Sequence, residues 1–405
     1  VAAEPEGAGR GLVARVERAT PAGRGLVARV ERATPAGRGL VARVERATPA
    51  GRDRGVDALR ALAMLGVVLG HWLVTAWQVR PGGEVALAGP LAYMPALAPV
   101  SWVLQTLAVF FFVGGFAAAR SARAASGAWK WARRRVPRLL VPAWPVVALW
   151  AGVAAALPAY GVPYGSVRAL ALPALAPLWF LAVFAGLALA TPALLRVRRP
   201  ATLACLAAAA VFAVDAARFG LGAPAWIGWV NVAAGWLVPY ALGVAWAGGG
   251  LRGRGTAAAM LVGGAAATAV LVAGFGYPAA MVGVTGAPVS NLSPPTAAAV
   301  CFGVAQIGVA LLLHGPLDRL MRRPRAWAAV ALANLAAMPV FLWHLTALAL
   351  AAAACLPLAP VPGLLAPPSG PEWVAARLAW LPVLAAALAV VARPRLTSPT
   401  PASAR

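Results

Sequence analysis

His71 stands inside an apolar run, GVDALRALAMLGVVLGHWLVTAW (Gly55 to Trp77), that is long and hydrophobic enough to cross a bilayer. The same run carries Asp57 and Arg60 near its start. Ionisable groups inside such a segment are costly and need a reason. Arg60 and His71 are eleven residues apart, about three helical turns and roughly 16 Å, so a helix places both on one face. Asp57 lies one turn before Arg60 on nearly the same face, which lets the two pair at the membrane boundary and leaves His71 alone near mid-membrane. A neutral imidazole there can take a proton from a hydroxyl without first losing one of its own. That is the behaviour of a general base.

Other residues are candidates beside it. His344 follows Phe341 and Trp343 in a later apolar run and either serves the same site or hydrogen-bonds between helices. His314 ends another run at the boundary, where water should reach it. Arg135 and Arg138 are one turn apart on a helix, with Pro137 between them. Their guanidinium forks suit a phosphate-bearing ligand, with Lys130 as an assisting point charge; the same charges also orient a membrane protein. Gly114 and Gly115, framed by phenylalanines, allow close approach of either a helix or an acyl chain. Asp215 and Arg218 should pair as a structural unit, and Gln306 lies in the span that follows Asn291-Leu-Ser-Pro-Pro295, where it is a candidate to face the site. Cys205, Cys301 and Cys355 are far apart in apolar runs and offer neither a disulfide framework nor a zinc spacing, so no metal is expected. There is no Gly-x-Ser-x-Gly elbow, Walker-type loop or His-Glu-x-x-His.

The elements that must position these residues are membrane helices. The 405 residues are 61% hydrophobic and only 11% charged, which excludes an ordinary soluble domain. Mean hydropathy is +0.78. Ten apolar segments have bilayer length, at 56–79, 101–120, 139–157, 174–194, 201–217, 226–248, 256–275, 296–314, 328–355 and 373–392. The expectation is an all-α, polytopic transmembrane bundle. A net charge of +24 points to nucleic acid in a soluble protein, but here the charge falls in loops. Placing alternate loops on the cytoplasmic side collects 31 of the 35 Lys and Arg there and leaves only Arg80, Arg168, Arg218 and Arg377 opposite. Both termini are then cytoplasmic, the protein is a multi-pass membrane protein in contact with lipid, and nucleic acid is not a partner. Residues 1–51 form a basic arm in which GRGLVARVERATPA occurs three times without a difference, from Gly9, Gly23 and Gly37. Identical copies read as recent duplication, and the arm is expected to be disordered, although each LVARVERA could form a short helix stopped at Thr-Pro-Ala-Gly. Residues 52–394 form the membrane domain and 395–405 a tail.

The Arg, ten residues and then His of the first span resembles the first transmembrane helix of the acyltransferase-3 family of bacterial integral-membrane O-acyltransferases. VFFFVGGFAAARS (Val109 to Ser121) resembles the family's second helix, and WKWARRRVPRLLVP (Trp129 to Pro142) carries its Arg-x-x-Arg element as Arg135 and Arg138. MPVFLWHLTAL (Met338 to Leu348) resembles its late helix with an aromatic residue before a histidine, and the Asn291 to Pro295 stretch its entry to another. The resemblance runs from about Arg52 to Pro394. It implies transfer of an acyl group, as in O-acetylation, from cytoplasmic acyl-CoA to a hydroxyl of a sugar-containing or lipid-linked acceptor, a carbohydrate modification without a prosthetic group. In that reading His71 is the base, Arg60 positions or polarises the thioester, Arg135 and Arg138 hold the donor's phosphates, and His344, Gln306, Gly114 and Gly115 line the site. The alternative from another class is a transporter or flippase whose buried His and Arg line a pathway.

Overall fold

The computed structural model describes residues 38–397. Among them are ten helical stretches long and apolar enough to span a membrane. The first is α2 (Arg54–Val74), preceded by a short helix α1 (Arg38–Ala47). The second is broken into α3 (Ala98–Leu104) and α4 (Leu107–Arg123), and the third is made of α5 (Ala128–Leu140) and α6 (Trp144–Ala156). The fourth joins α7 (Tyr164–Leu175) to α8 (Leu178–Leu194). Then follow α9 (Pro200–Asp215), α10 (Val230–Ala247), α11 (Arg254–Gly274), α12 (Ala297–Leu320), α13 (Pro324–Ala354) and α14 (Pro371–Thr397). The all-α, ten-span architecture expected from hydropathy is the one observed.

Burial sorts these spans into two layers. The apolar stretches of the first, sixth, eighth and ninth spans are 56–61% buried by protein, against 17–22% for the third, fifth, seventh and tenth, so the former make the inside of the bundle. Small residues let the inner helices approach closely, as membrane helices that lack a hydrophobic drive toward one another require. A Cβ on Gly115 would overlap the Tyr240 carbonyl of α10, and one on Gly243 would overlap the Phe112 carbonyl of α4. Gly114 likewise leaves room only for the Phe184 ring. Both α4 glycines are thus spent on helix packing.

Several expectations change. The first span ends at Val74 rather than at residue 79, because Trp77–Val79 (β1) turns away to pair antiparallel with Val85–Leu87 (β2). Trp77 is fully buried there, with its indole N–H donating to the Ala169 carbonyl at 2.8 Å. Most of the expected Arg120–Arg138 loop is helix, since α5 carries its arginines on a helical surface directly before α6. His314 is partly exposed, as expected of a boundary residue, but it is also tied down: α12 continues past it to Leu320, and its Nε2 lies 2.9 Å from Oδ1 of Asp53, the N-cap of α2. The expected disorder of the basic arm does not extend to its last copy, in which α1 packs on α13; residues 1–37 lie outside the described residues. Glu45 pairs with Arg54 at 2.6 Å, Arg54 stacks on Trp327, and the Trp327 indole donates to Thr48 Oγ1 at 2.6 Å.

Candidate active site

Two inner helices bring the site together. α2 packs against α13, and across that contact His71 Nδ1 lies 2.8 Å from His344 Nε2, with the rings 18° from parallel and their centroids 5.0 Å apart. His71 is therefore not alone, and it lies in the last turn of α2 rather than at its middle. Hydrogen bonding fixes the tautomers of the neutral pair. His344 Nδ1 is 2.7 Å from the Phe341 carbonyl, which can only accept, so the proton of His344 sits on Nδ1. Its Nε2 is then an acceptor and takes the Nδ1 proton of His71. The Nε2 of His71 is left with a lone pair and no proton, the form a base needs. The Trp72 indole donates to the His344 carbonyl at 2.8 Å, and the Trp150 indole to Thr346 Oγ1 at 3.0 Å, which hold this stretch of α13 in register.

His71 lines a cavity of about 430 Å³ at the C-terminal end of α2. The walls are almost all valine and leucine, and the polar lining comes from His71, Ser101, Gln105, Thr106, Trp373 and Arg377. Ser101 is already satisfied, donating to the Ala98 carbonyl and accepting from the Met281 N–H. Gln105 and Thr106 are the break in the second span, and an unwound backbone inside a membrane protein survives only where protein or a cavity satisfies it. Here Thr106 Oγ1 donates to the Ala63 carbonyl at 2.7 Å and Gln306 Nε2 donates to the Gln105 carbonyl at 2.5 Å. Gln306 therefore supports the wall without lining the cavity.

Arg60 sits elsewhere. Eleven residues of α2 put it about 16 Å along the axis from His71, too far to share a carbonyl group with it. It pairs with Asp57 at 3.2 Å, as the spacing implies, and its Nε donates to Asn334 Oδ1 at 2.7 Å, while Asn334 Nδ2 returns a bond to the Asp57 carbonyl at 2.8 Å. Asp57 also takes Arg52 at 2.5 Å. Arg135 turns toward this end of the bundle, near enough for its charge to act on Arg60 and Tyr240; its guanidinium lies over the Trp131 ring and its buried Nε has no hydrogen-bond partner. Arg138, one turn on, is exposed. Asp215 is a structural hub, accepting from the Ala297 N–H, the Tyr277 hydroxyl and Asn231. Among the described residues no three His, Cys, Asp or Glu side chains converge as metal ligands would.

The model of the acyltransferase-3 family, described as an acyltransferase domain, matches residues 53–392. The chain belongs to that family. This acyltransferase-3 protein is accordingly a multi-pass membrane acyltransferase that transfers groups other than amino-acyl groups, and the matched range nearly coincides with the 52–394 stretch that carries the motifs. The transporter reading is left without support. No curated protein and no solved structure matches the chain. Asn334, Gln105, Thr106 and Arg377 are residues of these two regions that motif reading passed over. The signal for Arg377 was present, since a charged side chain within an apolar span is rarely idle.

Proposed function

We propose that the protein moves an acyl group from acyl-CoA on the cytoplasmic side to a hydroxyl of a sugar-containing acceptor, held in the cavity at the C-terminal end of α2. The observation that carries this reading is the hydrogen-bonded His71–His344 pair, which presents an unprotonated Nε2 to that cavity. The arginine-rich loops lie on the cytoplasmic side, together with both termini, and the cavity faces the opposite leaflet.

The donor's phosphates are held by Arg135, with Arg138 and Lys130 at the rim, because guanidinium forks match phosphate oxygens. Arg60 adds positive charge at the entry and positions the long arm that carries the thioester toward His71. There Nε2 of His71 takes the proton of the acceptor hydroxyl as its oxygen attacks the thioester carbonyl carbon. The carbon–sulfur bond breaks, the acyl group stays on the acceptor oxygen, and the thiolate leaves with the proton held on Nε2. His344 keeps the ring in the reactive tautomer and orientation throughout. No prosthetic group is needed; acyl-CoA is a co-substrate.

Mass spectrometry of cell-envelope glycans and secreted metabolites from cells carrying the wild type or His71→Gln tests the reading. The wild type should add an acyl mass to a hydroxylated product, and His71→Gln should reduce it by about 10² or more, the scale of a lost acid-base group. Glutamine keeps a polar group of similar reach but cannot accept the proton, so equal product from both chains removes the mechanism.

A further inference from the structure

Arg377 is the one buried cation in the cavity wall. It belongs to α14, where Trp373, Val374, Arg377 and Leu378 put one helix face on the cavity, and its side chain is fully buried. Its Nη2 donates to the carbonyl of Thr75, the C-cap of α2, and its guanidinium lies 5.1 Å from the Trp373 ring. Its Nε and Nη1 have no partner, and no carboxylate among the described residues pairs with it. A charged side chain within a span is costly unless it is partnered, and one carbonyl with one ring leaves most of a guanidinium's five donors unused. Buried polar groups left open in this way mark a missing partner.

The rest of the cavity says what kind of partner. Beyond Arg377, the polar atoms left open in its wall are Nε2 of His71 and Oε1 of Gln105. Thr75 is one turn beyond His71, its N–H bonded to the His71 carbonyl at 3.0 Å, so the Arg377 contact lies one turn from the base. The remaining lining is aliphatic, and two of its members, Val100 and Leu378, are 45% and 50% exposed and belong to the second and the last span. The cavity is thus open at two apolar spans, where the surrounding solvent is lipid.

We propose that Arg377 binds an oxyanion, a phosphate or a carboxylate, carried on an apolar chain, so that the acceptor is an amphiphilic anion entering from the bilayer with its hydroxyl at His71. This rests on the acyl-transfer reading for the hydroxyl, but not for the anion. Binding without any acyl donor separates the two.

The test is the thermal midpoint of the purified full-length protein in detergent, titrated with octyl phosphate, octanoate, octanol or inorganic phosphate. One or both of the octyl anions should raise the midpoint at concentrations where octanol and inorganic phosphate do not, and the more effective anion identifies the group. Arg377→Gln should need about tenfold more of that anion or greater, the value of a charge-assisted hydrogen bond, while Arg377→Lys keeps part of the response. An unchanged response in Arg377→Gln overturns the site, as does octanol matching both anions in the wild type, a comparison that stands even if the glutamine variant does not fold. Inorganic phosphate matching octyl phosphate overturns the amphiphilic occupant.

Discussion

The two ends of α2 carry the same kinds of groups and treat them in opposite ways. At the N-terminal end Asp53 caps the helix and meets His314, Asp57 takes Arg52 and Arg60, and Arg60 and Asn334 close a ring of bonds back to α2. Every one of those groups has a partner from the protein. At the C-terminal end His71 has one nitrogen tied and one open, and Arg377 has one of its three nitrogens bonded. A satisfied polar cluster holds helices in register; an unsatisfied one beside a cavity is complete only with a ligand. The contrast between His314 and His71 shows that the residue type does not decide this. A carboxylate opposite the ring makes a brace, and a second imidazole with its own acceptor behind it leaves the other ring nitrogen open.

The strongest way to break that contrast is His344→Ala. If the C-terminal end works through the histidine pair, this change should lower acyl transfer on the order of 10²-fold through misplacement of the His71 ring, with insertion and thermal midpoint nearly kept. A loss of midpoint with normal turnover per folded molecule would make His344 a packing residue. A smaller effect separates the two arginines of α5. Arg135→Ala should raise the concentration of acyl-CoA needed by about tenfold, and Arg138→Ala by less, because Arg135 turns inward with an open Nε whereas Arg138 is exposed. Steady-state kinetics that rank them in reverse would move the donor site to the rim.

The smallest expected effect belongs to the N-terminal end. Asp53→Ala should cost about 1 kcal/mol of stability, the value of an N-cap, and leave turnover per folded molecule unchanged. Burial pushes the Asp53 carboxyl up, but the bonds from His314 and the Val56 N–H outweigh it and hold the group below its ordinary value of 3.8. A carboxyl with a lowered folded value stabilises fully at neutral pH and loses that contribution only as pH falls below 3.8. Midpoints compared between wild type and Asp53→Ala should therefore differ at pH 7 and converge in strong acid. A turnover defect in Asp53→Ala would erase the distinction between the two ends.

Sequence reading found what depends on local periodicity. Ten spans follow from hydropathy, and the Asp57–Arg60 pair follows from helical spacing. The partner of His71 lies 273 residues away, and no local pattern links the two positions. A separation of 261 residues likewise hides the tie between Asp53 and His314. Trp77–Val79 continues the apolar run of the first span, so its departure into a hairpin depends on acceptors at Ala169 and Leu364 that only the folded chain supplies. Arg377 is visible as a charge in an apolar stretch, but its place beside His71 depends on the packing of both the last and the first span on α13.

The docking of α1 has a consequence for the gene as well as the fold. Glu45 and Thr48, which meet Arg54 and Trp327, have counterparts at the same offsets in the other two copies, Glu31 with Thr34 and Glu17 with Thr20. Slippage that removes or adds a fourteen-residue copy therefore restores the same amino acids in front of Arg52. A change of copy number in frame leaves the segment that meets α13 with the same sequence, so the membrane domain meets the same neighbour whatever the length of the tract.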